Sequence, residues 1–135
     1  MLQKDYILRM IEMLGDLLRA IFGLIKKGDL DTASDNLEKI YYDMLKQDAA
    51  FFRKIPAEEL TTKLLGEHNY TGGHLEILAE LFRAEAELEH AKGRKEECLE
   101  FSRKSLLLFE FTDRETKTFS PDRLRKMEEL RKRLS

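Results

Sequence analysis

The sequence has a single cysteine, Cys98, two prolines, Pro56 and Pro121, and no tryptophan. One cysteine closes no internal disulfide, so the fold has no covalent cross-link, and a reducing, cytoplasmic setting is the expectation. Two prolines and seven glycines supply too few turn residues for a many-stranded β sandwich. No long apolar run is present either. Arg9, Glu12, Asp16 and Arg19 interrupt the hydrophobic residues near the N-terminus, which argues against a signal peptide or a membrane span. Nor does one sign of charge dominate: a formal net charge of −2 excludes nucleic-acid or membrane binding driven by net field. Phosphate-cradling glycine loops and a serine nucleophile elbow are also missing, so no catalytic residue, cofactor or metal is expected.

What is present is 42% apolar and 37% charged residues in 135, enough for one core and charged like a set of amphipathic helices. The first helix is expected from about residue 3 to 27. Ile7, Ile11, Leu14, Leu18, Ile21 and Ile25 form one stripe, and Tyr6, Met10, Met13, Leu17, Ala20 and Leu24 form a second beside it. Two adjacent stripes make a face wider than a surface helix needs, so this helix should be covered from two sides, by its own chain or by a second copy. Gly28 and Asp29 end it and cap the next, which places Leu30, Ala33, Leu37, Ile40, Tyr41, Met44 and Leu45 on one side. A turn this short sets the two helices antiparallel.

The middle is less regular. Phe51 and Phe52 lie near a helix end, and Ile55-Pro56 disfavours continuation. Pro56-Ala57-Glu58-Glu59 starts a short helix over 57–65, followed by an irregular stretch from Glu67 to Gly73. A second pair then spans 74–111. Its first helix carries Ile77, Leu81, Ala84, Leu88 and Ala91, Gly93 breaks it, and its second carries Cys98, Leu99, Phe101, Leu106, Leu108 and Phe109. A last helix over 120–134 opens with Ser120 as cap, Pro121 and Asp122, and Phe119 is placed to pack on Leu124 as a hydrophobic staple.

The two turns share a pattern: Gly28 is followed five positions on by the small Ala33, and Gly93 by Cys98. In this the chain resembles the tetratricopeptide repeat, a helix-turn-helix unit of about 34 residues. Phe82, Ala86, Gly93 and Cys98 match its aromatic, small, turn and small positions, and Leu17, Gly28, Ala33 and Leu37 match in the first pair. Ile21 and Glu89 depart from the pattern, and Leu45 and Glu110 stand in place of the closing proline, so the repeats are degenerate. The chain from Leu2-Gln3-Lys4-Asp5-Tyr6-Ile7 onward also looks like a group of small bacterial proteins of this kind. The resemblance implies an all-α fold of five to six helices, stacked as a right-handed array in a single domain over 1–135. It also implies a protein or peptide partner on a concave face, and it supplies no activity.

Among polar constellations, His68 and His74 flank the irregular stretch with Glu67 and Glu76 nearby, but their spacing matches no zinc pattern, and exposed loop histidines are expected. His90 reads as a surface residue near a helix end. Cys98 reads as a packed thiol. Tyr41, Tyr42, Phe51 and Phe52 read as core rather than cleft. From Glu76 to Glu100 eight acids face four bases, whereas from Asp113 to Ser135 eight bases face five acids. The basic last helix (Arg123, Arg125, Lys126, Arg131, Lys132, Arg133) is expected to be a solvated face, ahead of contact with an acidic partner, RNA or the acidic helix of this chain. The expected function is a protein-interaction or assembly module. A homo-oligomer built through the first helix is the alternative, and a small-ligand-binding protein or enzyme is a third.

Overall fold

A computed structural model describes residues 2–117 and 119–135, with residues 2–4 as backbone only. Among the described residues the chain is all-helical, with no strand. Seven α-helices follow in order: α1 (Leu2–Lys27), α2 (Leu30–Leu45), α3 (Ala49–Arg53), α4 (Leu60–Glu67), α5 (Gly72–Ala91), α6 (Lys95–Thr116) and α7 (Pro121–Leu134). A 3-10 turn at Ala57–Glu59 leads into α4. The expected count of five to six helices is therefore too low. The extra element is α3, where Asp48 accepts a hydrogen bond from the Phe51 N–H at 3.1 Å and starts a helix of its own.

Other boundaries move as well: the short helix expected over 57–65 opens as the 3-10 turn and runs on to Glu67. The stretch to Gly73 is not all irregular: α5 begins at Gly72, because Thr71 caps it and accepts from the His74 N–H. Helix α6 continues to Thr116, five residues past the expected end at Phe111, and Lys117 closes it with a left-handed backbone. At the start of α7, Ser120 caps as expected, its hydroxyl accepting from the Arg123 N–H at 3.1 Å. The expected staple is not built there, since Phe119 is 75% exposed and Leu124 40% exposed.

The two glycine turns have the same hydrogen-bond pattern. Gly28 N–H donates to Ile25 O and Asp29 N–H to Leu24 O, just as Gly93 N–H donates to His90 O and Arg94 N–H to Glu89 O. Both glycines take φ near +80°, a backbone that costs a side-chain-bearing residue energy. These turns fold α2 back on α1 and α6 back on α5, and the small residues that follow, Ala33 and Cys98, are buried.

Helix α5 is the centre of the molecule and packs against α1, α2, α4 and α6. It is buried on most of its circumference, including Leu75, Ile77, Leu78, Leu81, Phe82 and Leu88, although Ala91 at its end is exposed. Close approach is helped by Gly73, where a Cβ would overlap Ile7 Cγ2 of α1, and by Ser105 of α6, whose hydroxyl donates to Ala79 O at 2.7 Å. The Leu106–Phe109 run is helical, with Leu108 and Phe109 in the core. Helix α1 is covered by α2 and α5 over only part of its width. Tyr6, Met13 and Leu17 of its second stripe are 55%, 57% and 41% exposed.

Candidate functional site

Helices α1, α5 and α7 wall a groove of about 490 Å³. Its floor is apolar, from Ile11, Leu14, Leu18 and Phe22 of α1, and Gly15 leaves room there, since an added Cβ would meet nothing within 4 Å. Its walls are charged: Glu76, Glu80 and Arg83 come from α5, and Asp122, Arg125 and Lys126 from α7. The i, i+4, i+7 spacing of the first set and the i, i+3, i+4 spacing of the second put each on one helix face.

Most of that charge is satisfied internally. Lys126 Nζ bridges Glu80 Oε2 at 2.5 Å and Asp122 Oδ2 at 2.7 Å, and hydrogen bonding to Lys126 holds the Asp122 carboxyl below its usual range. Arg83 pairs with Glu80 at 3.3 Å and lies over the Phe22 ring at 5.0 Å, tying α5 to α1. Arg125 pairs with Asp122 and Glu129, and Arg19 with Asp16. The exception is Glu76. It is half-buried at the groove wall and accepts no hydrogen bond from any described residue. Burial raises its pKa, and the more distant charges of Arg123 and Lys126 oppose that rise.

The basic helix is thus not simply solvated. Lys126 and Arg133 reach Glu80 and Glu87 of α5, Arg131 reaches Glu110 of α6, and Arg123 reaches Asp113 at 2.9 Å. The charge asymmetry along the sequence is thus largely spent inside the chain, across a contact in which α7 also buries Met127 and Leu130 in the core.

A second polar cluster lies on the other side of α5. Tyr41 of α2 donates to Glu85 Oε2 at 3.1 Å, and Arg53 Nε donates to the same oxygen at 2.7 Å while its Nη2 pairs with Glu38. Lys104 of α6 donates to Arg53 O at 2.8 Å. Burial pushes the Tyr41 hydroxyl well up; it also holds the Glu85 carboxyl above its ordinary range, and the Arg53 hydrogen bond limits that rise. With every member partnered, this network joins α2, α3, α5 and α6, and a structural role accounts for it.

The other singled-out residues scatter. His74 Nδ1 accepts from the Thr71 N–H at 3.0 Å, completing the α5 capping box, and its ring stacks edge-on with Tyr70 at 5.2 Å. His68 stacks edge-on with Phe51 instead, at 5.0 Å. Among the described residues no group of three or more His, Cys, Asp or Glu side chains is placed to hold a metal ion. His90 is exposed and Cys98 buried. Tyr41 and Phe52 are core as expected, and Phe51 is partly buried, but Tyr42 is 60% exposed. Among the described residues no helix is long and apolar enough to cross a membrane.

Glu80 and Glu85 do not stand out in the sequence as site residues, and Glu76 does so only beside His68 and His74. The available signal was α5 itself: a helix apolar on nearly every face is surrounded, so its acids must find partners or line an opening. No family model, no curated protein and no solved structure matches this chain.

Proposed function

We propose that this chain is a protein-interaction module that holds a peptide segment of a partner in the groove between α1, α5 and α7. The observation that carries the reading is an apolar floor at Ile11 and Phe22, set over the buried Leu14 and Leu18 and framed by charged walls whose ions are mostly paired with one another. Such a surface combines area to bury with a rim that fixes orientation. The tetratricopeptide-like resemblance supports the same face. The groove is walled by the first helix of each pair, α1 and α5, and by the helix after the second pair, α7. The buried, unpaired Cys98 accords with a reducing, cytoplasmic setting.

The test is Gly15→Leu, which places a side chain into the groove from a position where an added Cβ meets nothing within 4 Å. A protein captured from native lysate by the wild type should be lost with the folded variant. Equal capture by both would remove the groove from the function.

A second reading has its own observation. The exposed Tyr6, Met13 and Leu17 run along one side of α1, away from the groove residues, and fit pairing with a second copy. Sedimentation over a range of concentrations decides it: a dimer that Met13→Glu dissociates supports this reading, and a monomer throughout ends it.

A further inference from the structure

We infer that the groove selects a partner segment carrying a lysine or arginine next to apolar residues, with that cation seated on the carboxylate of Glu76. The inference rests on the proposed peptide-binding role and adds the chemistry of what is bound. The reasoning is a comparison of spent and unspent charge. Of the groove's cations, Arg83, Arg125 and Lys126 are each within 3.3 Å of an acid on the walls, and Arg19 is paired with Asp16. Of its acids, Glu80 and Asp122 are taken up by those same cations. Among the described residues no cation pairs with Glu76, nor with the exposed Glu12 of α1. What the groove presents to an incoming chain is therefore negative, although the count of its charges is even.

Glu76 is better placed than Glu12 to discriminate. It is half-buried, so its charge is incompletely solvated in the free protein, and a donor arriving from a partner replaces little water. Burial raises its pKa accordingly, against the opposing charges of Arg123 and Lys126. An acidic segment would meet repulsion from Glu76 and Glu12 and could reach the wall cations only by breaking their pairs. An uncharged apolar segment would leave Glu76 desolvated without a partner. The apolar floor beneath, from Ile11 to Phe22, accepts the residues flanking the cation.

The experiment uses a randomised peptide library displayed on phage, selected in parallel on the wild type, on Gly15→Leu and on Glu76→Gln, with the folding of each checked by circular dichroism and thermal melting. Glu76→Gln should fold normally, because the carboxylate accepts no hydrogen bond from any described residue. Peptides enriched on the wild type and lost on Gly15→Leu should contain a lysine or arginine flanked by apolar residues. Their affinity for Glu76→Gln, measured by fluorescence anisotropy, should fall about tenfold, as for loss of a charge-assisted hydrogen bond. If the Gly15-dependent peptides carry no basic residue, or bind Glu76→Gln within twofold of wild type, the inference about Glu76 is wrong while the groove reading stands. If no enriched peptide depends on Gly15, the groove reading fails and this inference falls with it.

Discussion

The Tyr41 hydroxyl donates to Glu85 Oε2 at 3.1 Å, joining residues 44 positions apart in the sequence, and both side chains are buried. Arg53 shares that oxygen and is the counter-charge that keeps Glu85 from being an isolated ion in the core. Removing the two partners should therefore have unequal effects.

Arg53→Met leaves the Glu85 carboxylate buried without a cation, and should cost about 2–4 kcal/mol near neutral pH. The cost should shrink in acid, because a Glu85 freed of Arg53 takes up a proton and becomes neutral. Tyr41→Phe removes one hydrogen bond from a carboxylate that keeps its arginine, and should cost about 1 kcal/mol. Urea unfolding at neutral and acid pH measures both, and equal losses for the two variants would mean that Arg53 is not the counter-charge.

A pH dependence follows from His74. Its Nδ1 accepts the Thr71 N–H, so only the unprotonated ring completes the cap, and burial lowers its pKa below the ordinary 6.5. The unfolded chain then binds a proton that the folded chain does not, so this contribution to stability is complete above pH 6.5 and is lost as pH falls through the lowered value. His74→Glu keeps an acceptor at the same capping position. Between pH 7 and 5 it should lose less stability than the wild type, as followed by thermal melting; parallel losses would show that the cap does not titrate.

Glycines 15, 23 and 73 are all helical, but they should respond differently to alanine. At Gly15 and Gly23 a Cβ meets nothing within 4 Å, so each substitution should stabilise by up to about 1 kcal/mol by removing backbone entropy. At Gly73 the Cβ runs into Ile7, whose branched side chain has little freedom to turn away, and the substitution should cost about 1–3 kcal/mol. Chemical denaturation of the three variants checks the order, and a stabilising Gly73→Ala would show that α1 and α5 are not so close.

Helix α7 is held to α5 by Lys126 on Glu80 and by Arg133 on Glu87. Lys126→Ala with Arg133→Ala should cost about 1–2 kcal/mol in total, since the first pair is largely shielded from water and the second partly exposed. Amide exchange in α7 should rise more than in α5. The same loss at 1 M salt would point to packing of the side-chain stems rather than to charge.

Much of this architecture was legible from residue order. The 3.6-residue periodicity of α1, α2, α5 and α6, the glycine turns at Gly28 and Gly93, and the caps at Asp29 and Ser120 depend on neighbours a few positions apart, and local chemistry determined them. Helix α3 was missed because one short capped turn makes too little periodic signal. The end of α6 was placed short because the polar residues after Phe111 extend a helix without marking it.

The candidate site was a different matter. The sequence recorded that acids concentrate between Glu76 and Glu100 and bases after Asp113, but not which would meet. Tertiary packing decided that Lys126 reaches Glu80 and Arg133 reaches Glu87, that Arg53 neutralises Glu85, and that Glu76 accepts no hydrogen bond from any described residue. The reason is physical. A helix is specified by interactions over three or four residues, whereas an ion pair between helices depends on how α5 rotates and slides against α1 and α7. That is set by the fit of whole side-chain surfaces, and no short stretch of sequence contains it.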